Sequence, residues 1–239
     1  LLPIQKIRQW LKLEDVKQMD GLEGTISLDM ELVGSPHQPD IKGNLKLEGL
    51  RGIANEKIAP LHILAEFKSQ DQRLGVTGVL NEAENQRIKL DLAIPFTPLQ
   101  WVQKSEDLDT ILEESQVDGK LEINTFPLNR IARLLPQVKD TNGLINGAAT
   151  ISGNLLDPKI ELDTRIEIPI LLITNDNVDH IRDILIECKA NSDRIITANL
   201  KATVNGALLQ ADAKVDINDL KNPLFEVNAK TDYAMVFRN

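Results

Sequence analysis

Three histidines and one cysteine are the residues of this chain most able to do chemistry. A metal site or a general acid–base pair needs such groups at ligand spacing or converging in the fold. His37, His62 and His180 lie far apart, and none is within ligand spacing of another. When the two halves of the chain are aligned, His62 falls on Asp183, as a surface position would. Cys188 falls on Phe67 and reads as buried filler. A lone cysteine excludes an internal disulfide and any cysteine-based metal cluster. The run Asn175-Asp176-Asn177-Val178-Asp179 offers oxygen ligands but lacks the glycine and the bidentate glutamate of a calcium-binding hand, so it reads as a loop. Glu113 and Glu114 read as solvated linker. There is no glycine-rich phosphate loop and no serine elbow. The expectation is a protein that is not an enzyme, with no catalytic residue, no metal and no cofactor.

Composition points elsewhere. The chain has 239 residues, 42% hydrophobic and 26% charged, which is enough apolar material for a sizeable folded structure. Aromatics are only 3%, so its apolar surfaces must be built of Val, Ile, Leu and Ala. A net charge of −9 with scattered Lys and Arg argues against nucleic acid and against docking on anionic membranes. No stretch approaches the ~20 apolar residues of a membrane-spanning helix, and no signal peptide is visible. The chain opens on Leu-Leu-Pro and stops inside a strand pattern, so it reads as part of something longer.

The dominant signal is period-two alternation, the mark of strands with one apolar face. In residues 25–33, Ile26, Leu28, Met30 and Leu32 alternate with Thr25, Ser27, Asp29 and Glu31. The pattern recurs over 41–47 (Leu45, Leu47), 61–67 (Ile63, Phe67), 74–79, and 88–94 (Ile88, Leu90, Leu92). Five more runs follow: 149–151 with its flanks, 160–168 (Ile160), 184–190 (Ile186, Cys188), 196–204 (Ile196, Leu200) and 209–217 (Leu209, Val215). An extra strand is predicted at Val117 to Ile123, and Phe225, Val227 and Ala229 look like the first strand of a third pass, giving eleven or twelve in all. The apolar residues named from Ile26 to Val227 are the candidate lining of a binding surface. Turn chemistry at Gly34-Ser35-Pro36, Asn81-Glu82-Ala83 and Asn205-Gly206 predicts antiparallel pairing of neighbours.

The two sets of five are a repeat, its copies about 121 to 124 residues apart. Leu2 to Leu11 reappears as Phe126 to Leu135, Ala65 to Leu74 as Ile186 to Ile195, and Ile88 to Ile94 as Leu209 to Val215. Between strand runs the period changes. Ile4, Ile7 and Leu11, like Leu128, Ile131 and Leu135, fall on one face of a short helix of two or three turns, with Pro3 and Pro127 at its start and Gly21 and Gly143 after it. The linker from Phe96 to Gln116 also tolerates helix. These segments are expected to be crossovers that return the chain to begin the next five strands. Residues 1–115 form the first unit, and 116–239 the second unit with the start of a third, in one continuous elongated domain. The fold expected is all-β, a long curled antiparallel sheet, or β-groove, of tandem five-strand units with short crossover helices.

The segment Gly143 to Ile160, G-L-I-N-G-A-A-T-I-S-G-N-L-L-D-P-K-I, preceded by F-P-L-N-R-I-A-R-L-L-P, resembles the recurrent unit of the TamB and AsmA-like family. The first copy, Gly21 to Ile41, departs from it at V-G-S-P-H-Q-P-D-I, longer by a few residues. The resemblance covers both units through spacing and glycines. It implies a long, twisted, open β-sheet with an apolar concave face, lying in the periplasm and anchored in the inner membrane by a segment outside this chain. It also implies phospholipid transport to the outer membrane or, alternatively, a scaffold for assembly of outer-membrane β-barrel proteins acting through sheet edges. The partners expected are phospholipid acyl chains and an outer-membrane β-barrel protein.

Elementary energetics agrees with the lipid reading. Two acyl chains, about 30 methylenes, would cost on the order of 24 kcal/mol to carry through water. A strand of ~9 residues gives a trough about 30 Å across, and an aliphatic lining solvates chains without specific contacts. Alternation alone equally suits a closed sandwich core; the repeat and the resemblance favour the open sheet.

Overall fold

The computed structural model describes residues 2–3, 22–35, 38–52, 60–95, 115–132, 138–154, 157–173, 180–191, 194–218 and 223–232. These residues are almost entirely strand. The elements are β1 (Leu2–Pro3), β2 (Leu22–Ser35), β3 (Gln38–Gly52), β4 (Leu61–Gln70), β5 (Arg73–Glu82), β6 (Asn85–Pro95) and β7 (Gln116–Pro127), then the single helical turn α1 (Asn129–Ala132). After it come β8 (Val138–Thr141), β9 (Leu144–Asn154), β10 (Pro158–Ile173), β11 (His180–Ala190), β12 (Ile195–Val204), β13 (Ala207–Asp216) and β14 (Leu224–Thr231). Thirteen of them follow one another in chain order through a single antiparallel sheet that does not close, and β8 stands off that path against β10.

The alternating runs account for this architecture. The first five become β2 to β6, the extra strand lies inside β7, the second five become β9 to β13, and the third pass opens with β14. Hairpin chemistry sets the registers. Val204 pairs Ala207 across Asn205 and Gly206, whose φ values of 50° and 83° are those of a type I′ turn. Gln70 pairs Arg73 across Asp71 and Gln72, at φ 51° and 60°. Bulges or irregularities shift the register at five places among the described strands. One falls between Leu47 and Leu50 of β3, with Gly49 at φ 67°, and another between Arg182 and Leu185 of β11, with Asp183 at φ 51°.

The fold departs from expectation at the joints. Pro3 pairs Thr25 in β1, where its fixed φ suits an edge strand as well as a first helical turn, and the helix expected after it lies outside the described residues. The second helical segment is one turn, Asn129–Ala132, and Pro127 closes β7 before it. There Leu128 N–H donates to Gly143 O at 2.8 Å. With β1 and β8 added, the strands number fourteen among the described residues, against the eleven or twelve expected. Because the order is sequential, the linkers add each strand beside the last and do not return the chain to the far end of the sheet. Ile4 to Gly21, the linker from 96 to 114 and residues 133–137 lie outside the described residues. The chain divides into unit 1, Leu1–Leu121 with Ile151–Pro158, and unit 2, Glu122–Thr150 with Lys159–Asn239.

Candidate functional site

Cross-strand register turns the alternating pattern into rows of neighbouring side chains. In unit 1 the central row is Leu28, Leu45, Ala65, Gly78 and Leu90, each paired with the next. On one side of it runs Ile26, Leu47, Ile63, Leu80 and Ile88, and on the other Met30, Gly43, Phe67, Val76 and Leu92. Beyond, Leu32 pairs Ile41, and Ser69 pairs Leu74, which pairs Ile94. Ser69 is the one polar residue there, and its hydroxyl accepts the Ile41 N–H at 2.7 Å. Leu92 and Ile151 close in over Gly119, where a Cβ would stand 3.0 and 2.8 Å from them. The Phe67 ring likewise lies across Gly43, which has no side chain to hold it off.

The opposite face of unit 1 carries Asp29, Asn44, Glu66, Thr77 and Asp91 in one row, and Glu31, Lys42 and Lys68 in the next. All of these but Asp91, together with Gly43, Phe67 and Gly75, line an open cleft of about 580 Å³. Lys89 bonds Asp91 at 2.8 Å and holds that carboxyl below the usual carboxylate range. Val33, Leu64, Val79 and Ala93 interrupt this otherwise polar face.

Unit 2 repeats the arrangement. Leu162, Ala190, Ile196, Val215 and Phe225 form one row, Thr164, Cys188, Ala198, Ala213 and Val227 a second, and Ile166, Ile186, Leu200, Ala211 and Ala229 a third. Leu209 continues the face beside Ala202, and Ile160 shares the parity of Leu162. Asp163, Lys189, Arg165 and Glu187 occupy the other side.

Every predicted lining residue therefore lies on the apolar face of its own unit, Ile26 to Leu92 in unit 1 and Ile160 to Val227 in unit 2. Sequence reasoning missed the residues that share those rows, notably Ala65, Gly78, Val76, Leu80 and Ile166, since small residues carry no periodic signal and side-by-side placement depends on register. The faces are not sealed by the described residues. No described side chain is less than 2% exposed, and Leu28, Met30 and Leu32 are 61%, 58% and 62% exposed. Cys188 is half-buried between Thr164 and Ala198, and burial pushes its thiol pKa up.

Among the described residues the chemistry-bearing candidates do not converge. His62 is half-buried in β4 opposite Asn81, and His180 stands in β11 opposite Leu172. His37, Glu113, Glu114 and the Asn175 to Asp179 loop lie outside the described residues. Among the described residues there is no group of three or more His, Cys, Asp or Glu able to hold a metal ion, and no helix long and apolar enough to cross a membrane. What the site offers is an extended aliphatic surface with a charged reverse side.

No family model matches the chain, and no solved structure matches it. Over 237 residues, 94% of the chain, it is 24% identical to a pyruvate kinase of Pyrobaculum aerophilum, and it spans about half of that protein, 49%. A likeness of that degree shows no family.

Proposed function

We propose that this chain is a non-enzymatic segment of a bridge-like lipid-transfer protein of the TamB and AsmA-like kind, in which the apolar face carries phospholipid acyl chains across the periplasm between inner and outer membranes. One observation carries the reading. Row after row of aliphatic side chains shares one face within each unit, yet no described side chain is fully buried. Aliphatic surface left open to water asks for an apolar occupant. An acyl chain fits such rows because it needs no directional contacts, while its headgroup stays hydrated.

The test places a photo-crosslinking residue at Leu90 or, in a second protein, at Lys89, its neighbour on the opposite face. Mass spectrometry should find phospholipid attached at position 90 and not at 89. Equal capture at both positions, or none at 90, rejects the lipid track. Capture of a β-barrel protein at the sheet edges without lipid would support the assembly-factor alternative.

A further inference from the structure

The charged face of unit 1 holds an arrangement that acyl chains do not use. Register sets Glu31, Lys42, Lys68 and Gly75 side by side in one row, and Asp29, Asn44, Glu66 and Thr77 in the next. All of them line the open cleft of about 580 Å³, a volume within the range of small-molecule sites. Lys42 and Lys68 stand directly opposite each other across β3 and β4, where like charges repel. Beyond Lys68 the row drops to Gly75, at which a Cβ would meet only Lys68 O, at 3.6 Å. A notch that no side chain fills therefore lies beside the two ammonium groups.

The charges around the cleft do not neutralise one another. Among the described residues Asp29, Glu31, Glu66 and Lys68 make no ion pair, and Lys42 approaches only Asp40 of its own strand, at 3.9 Å. Elsewhere in unit 1 Lys89 bonds Asp91 at 2.8 Å and Arg73 bonds Asp118 at 2.7 Å. Glu66 follows Lys68 two residues back along β4, about 7 Å away at the backbone, with the Asn44 amide and the Thr77 hydroxyl on either side of it. Positive and negative groups thus stand ready a short span apart.

We propose that this cleft binds a small soluble zwitterion in which a phosphate is joined to an ammonium by a short linker, as in phosphoethanolamine. The phosphate lies over Gly75 against Lys42 and Lys68, where its charge relieves their repulsion and its oxygens accept from both. A phosphomonoester, with more than one negative charge and three acceptor oxygens, matches two opposed lysines better than a carboxylate does. The ammonium turns to Glu66. A bare anion is disfavoured, since three carboxylates line the cleft against two lysines. Acyl chains tethered to the phosphate would lie along a charged face, so the occupant is soluble. The inference is independent of the lipid reading, and its failure leaves the crosslinking at Leu90 untouched.

Isothermal titration calorimetry on the purified 239-residue chain tests it, with phosphoethanolamine, inorganic phosphate and ethanolamine as probes. Phosphoethanolamine should saturate one site and bind at least about tenfold more tightly than either fragment. Lys68→Gln and Glu66→Gln should each weaken it at least about tenfold. Lys68→Gln should do so without lowering the urea midpoint, because it removes the opposition to Lys42. Gly75→Val fills the notch with a strand-favouring side chain in ordinary contact, and should abolish binding with the fold intact. Lys46→Gln, on the same face outside the cleft, should keep the wild-type affinity. Absence of saturable binding overturns the proposal, as does inorganic phosphate binding as tightly, or an affinity indifferent to Lys68→Gln or Gly75→Val. Flotation with phosphatidylethanolamine vesicles that is lost in Lys68→Gln, without binding of soluble phosphoethanolamine, also overturns it and gives the cleft to a lipid headgroup.

Discussion

Replacing Leu28 or Leu90 by aspartate separates an open apolar face from a sealed core. Leu28 is 61% exposed, so folding removes only about 40% of it from water. Full burial of a leucine contributes about 1.5–3 kcal/mol, which makes the loss at this site ~1 kcal/mol. The weaker strand preference of aspartate adds up to ~1 kcal/mol. Leu28→Asp should therefore cost about 1–2 kcal/mol. Leu90 is half-buried beside Gly78, and its replacement should cost roughly 2–3 kcal/mol, with the carboxylate still able to reach water across the open face. In a sealed core an unpaired carboxylate costs several kcal/mol more, comparable to the ~5–15 kcal/mol that holds a domain together. Urea unfolding followed by circular dichroism measures the cost, and lipid extraction of the same preparations measures carriage. Both variants should melt cooperatively at a lowered midpoint and carry no lipid. Outright unfolding of Leu28→Asp would refute the open face. A folded Leu90→Asp with undiminished lipid would refute the claim that this face does the carrying.

Cys188 should react slowly with a polar thiol reagent in the native protein and quickly in urea, since burial raises its pKa and leaves little thiolate. Equal rates would put it on the wet face. The same shift has a definite pH sign: the stabilisation from keeping this thiol neutral is complete below its ordinary unfolded value and is lost as pH rises through the raised folded value. The urea midpoint should fall over that alkaline range in the wild type and less in Cys188→Val. Gly43→Ala should lower stability by about 1–3 kcal/mol, because its Cβ would run into the Phe67 ring and come 2.6 Å from Asp29 O. Adding Phe67→Leu should recover only part of the loss, because the contact with Asp29 is backbone; full recovery in urea titrations contradicts the geometry. Gln72→Gly should gain up to ~1 kcal/mol by relieving a non-glycine residue at φ 60°, and a lowered urea midpoint would count against the turn assigned there.

The strands were legible because alternation and turn residues agree at each level. In β2 the pattern of Ile26, Leu28, Met30 and Leu32 leaves one choice of face, and Asn205-Gly206 has the chemistry of the turn it makes. What stayed hidden depends on relations between strands. Segments as short as Leu2–Pro3 and Val138–Thr141 contain no period to detect, and a proline start reads alike for a helix and an edge strand. Bulges add a residue to one strand only, so Gly49 and Asp183 look like ordinary members of their runs until the partner is known. Ala65 and Gly78 join the lining because register sets them between Leu45 and Leu90. The ring of Phe67 over Gly43 is likewise a cross-strand fact.

The composition of the rows bears on what occupies them. A sheet gains its ladder bonds from nearest neighbours alone, so a repeat can lengthen it without a second layer, but each added strand also adds apolar surface to the open face. Surface of that kind draws either protein or lipid. Protein interfaces concentrate their binding energy in Trp, Tyr and Arg set in tight pockets. The described rows contain none of these, and their only aromatic residues are Phe67 and Phe225, one in each unit. Rows of Leu, Ile, Val and Ala offer no pocket that one partner's side chain would fill better than another's. They offer nearly uniform contact to any flexible chain of methylenes, which can move from one row to the next at little cost. A surface that holds an occupant without fixing it in place suits carriage, and on that ground the aliphatic face supports the proposed lipid reading over a protein partner.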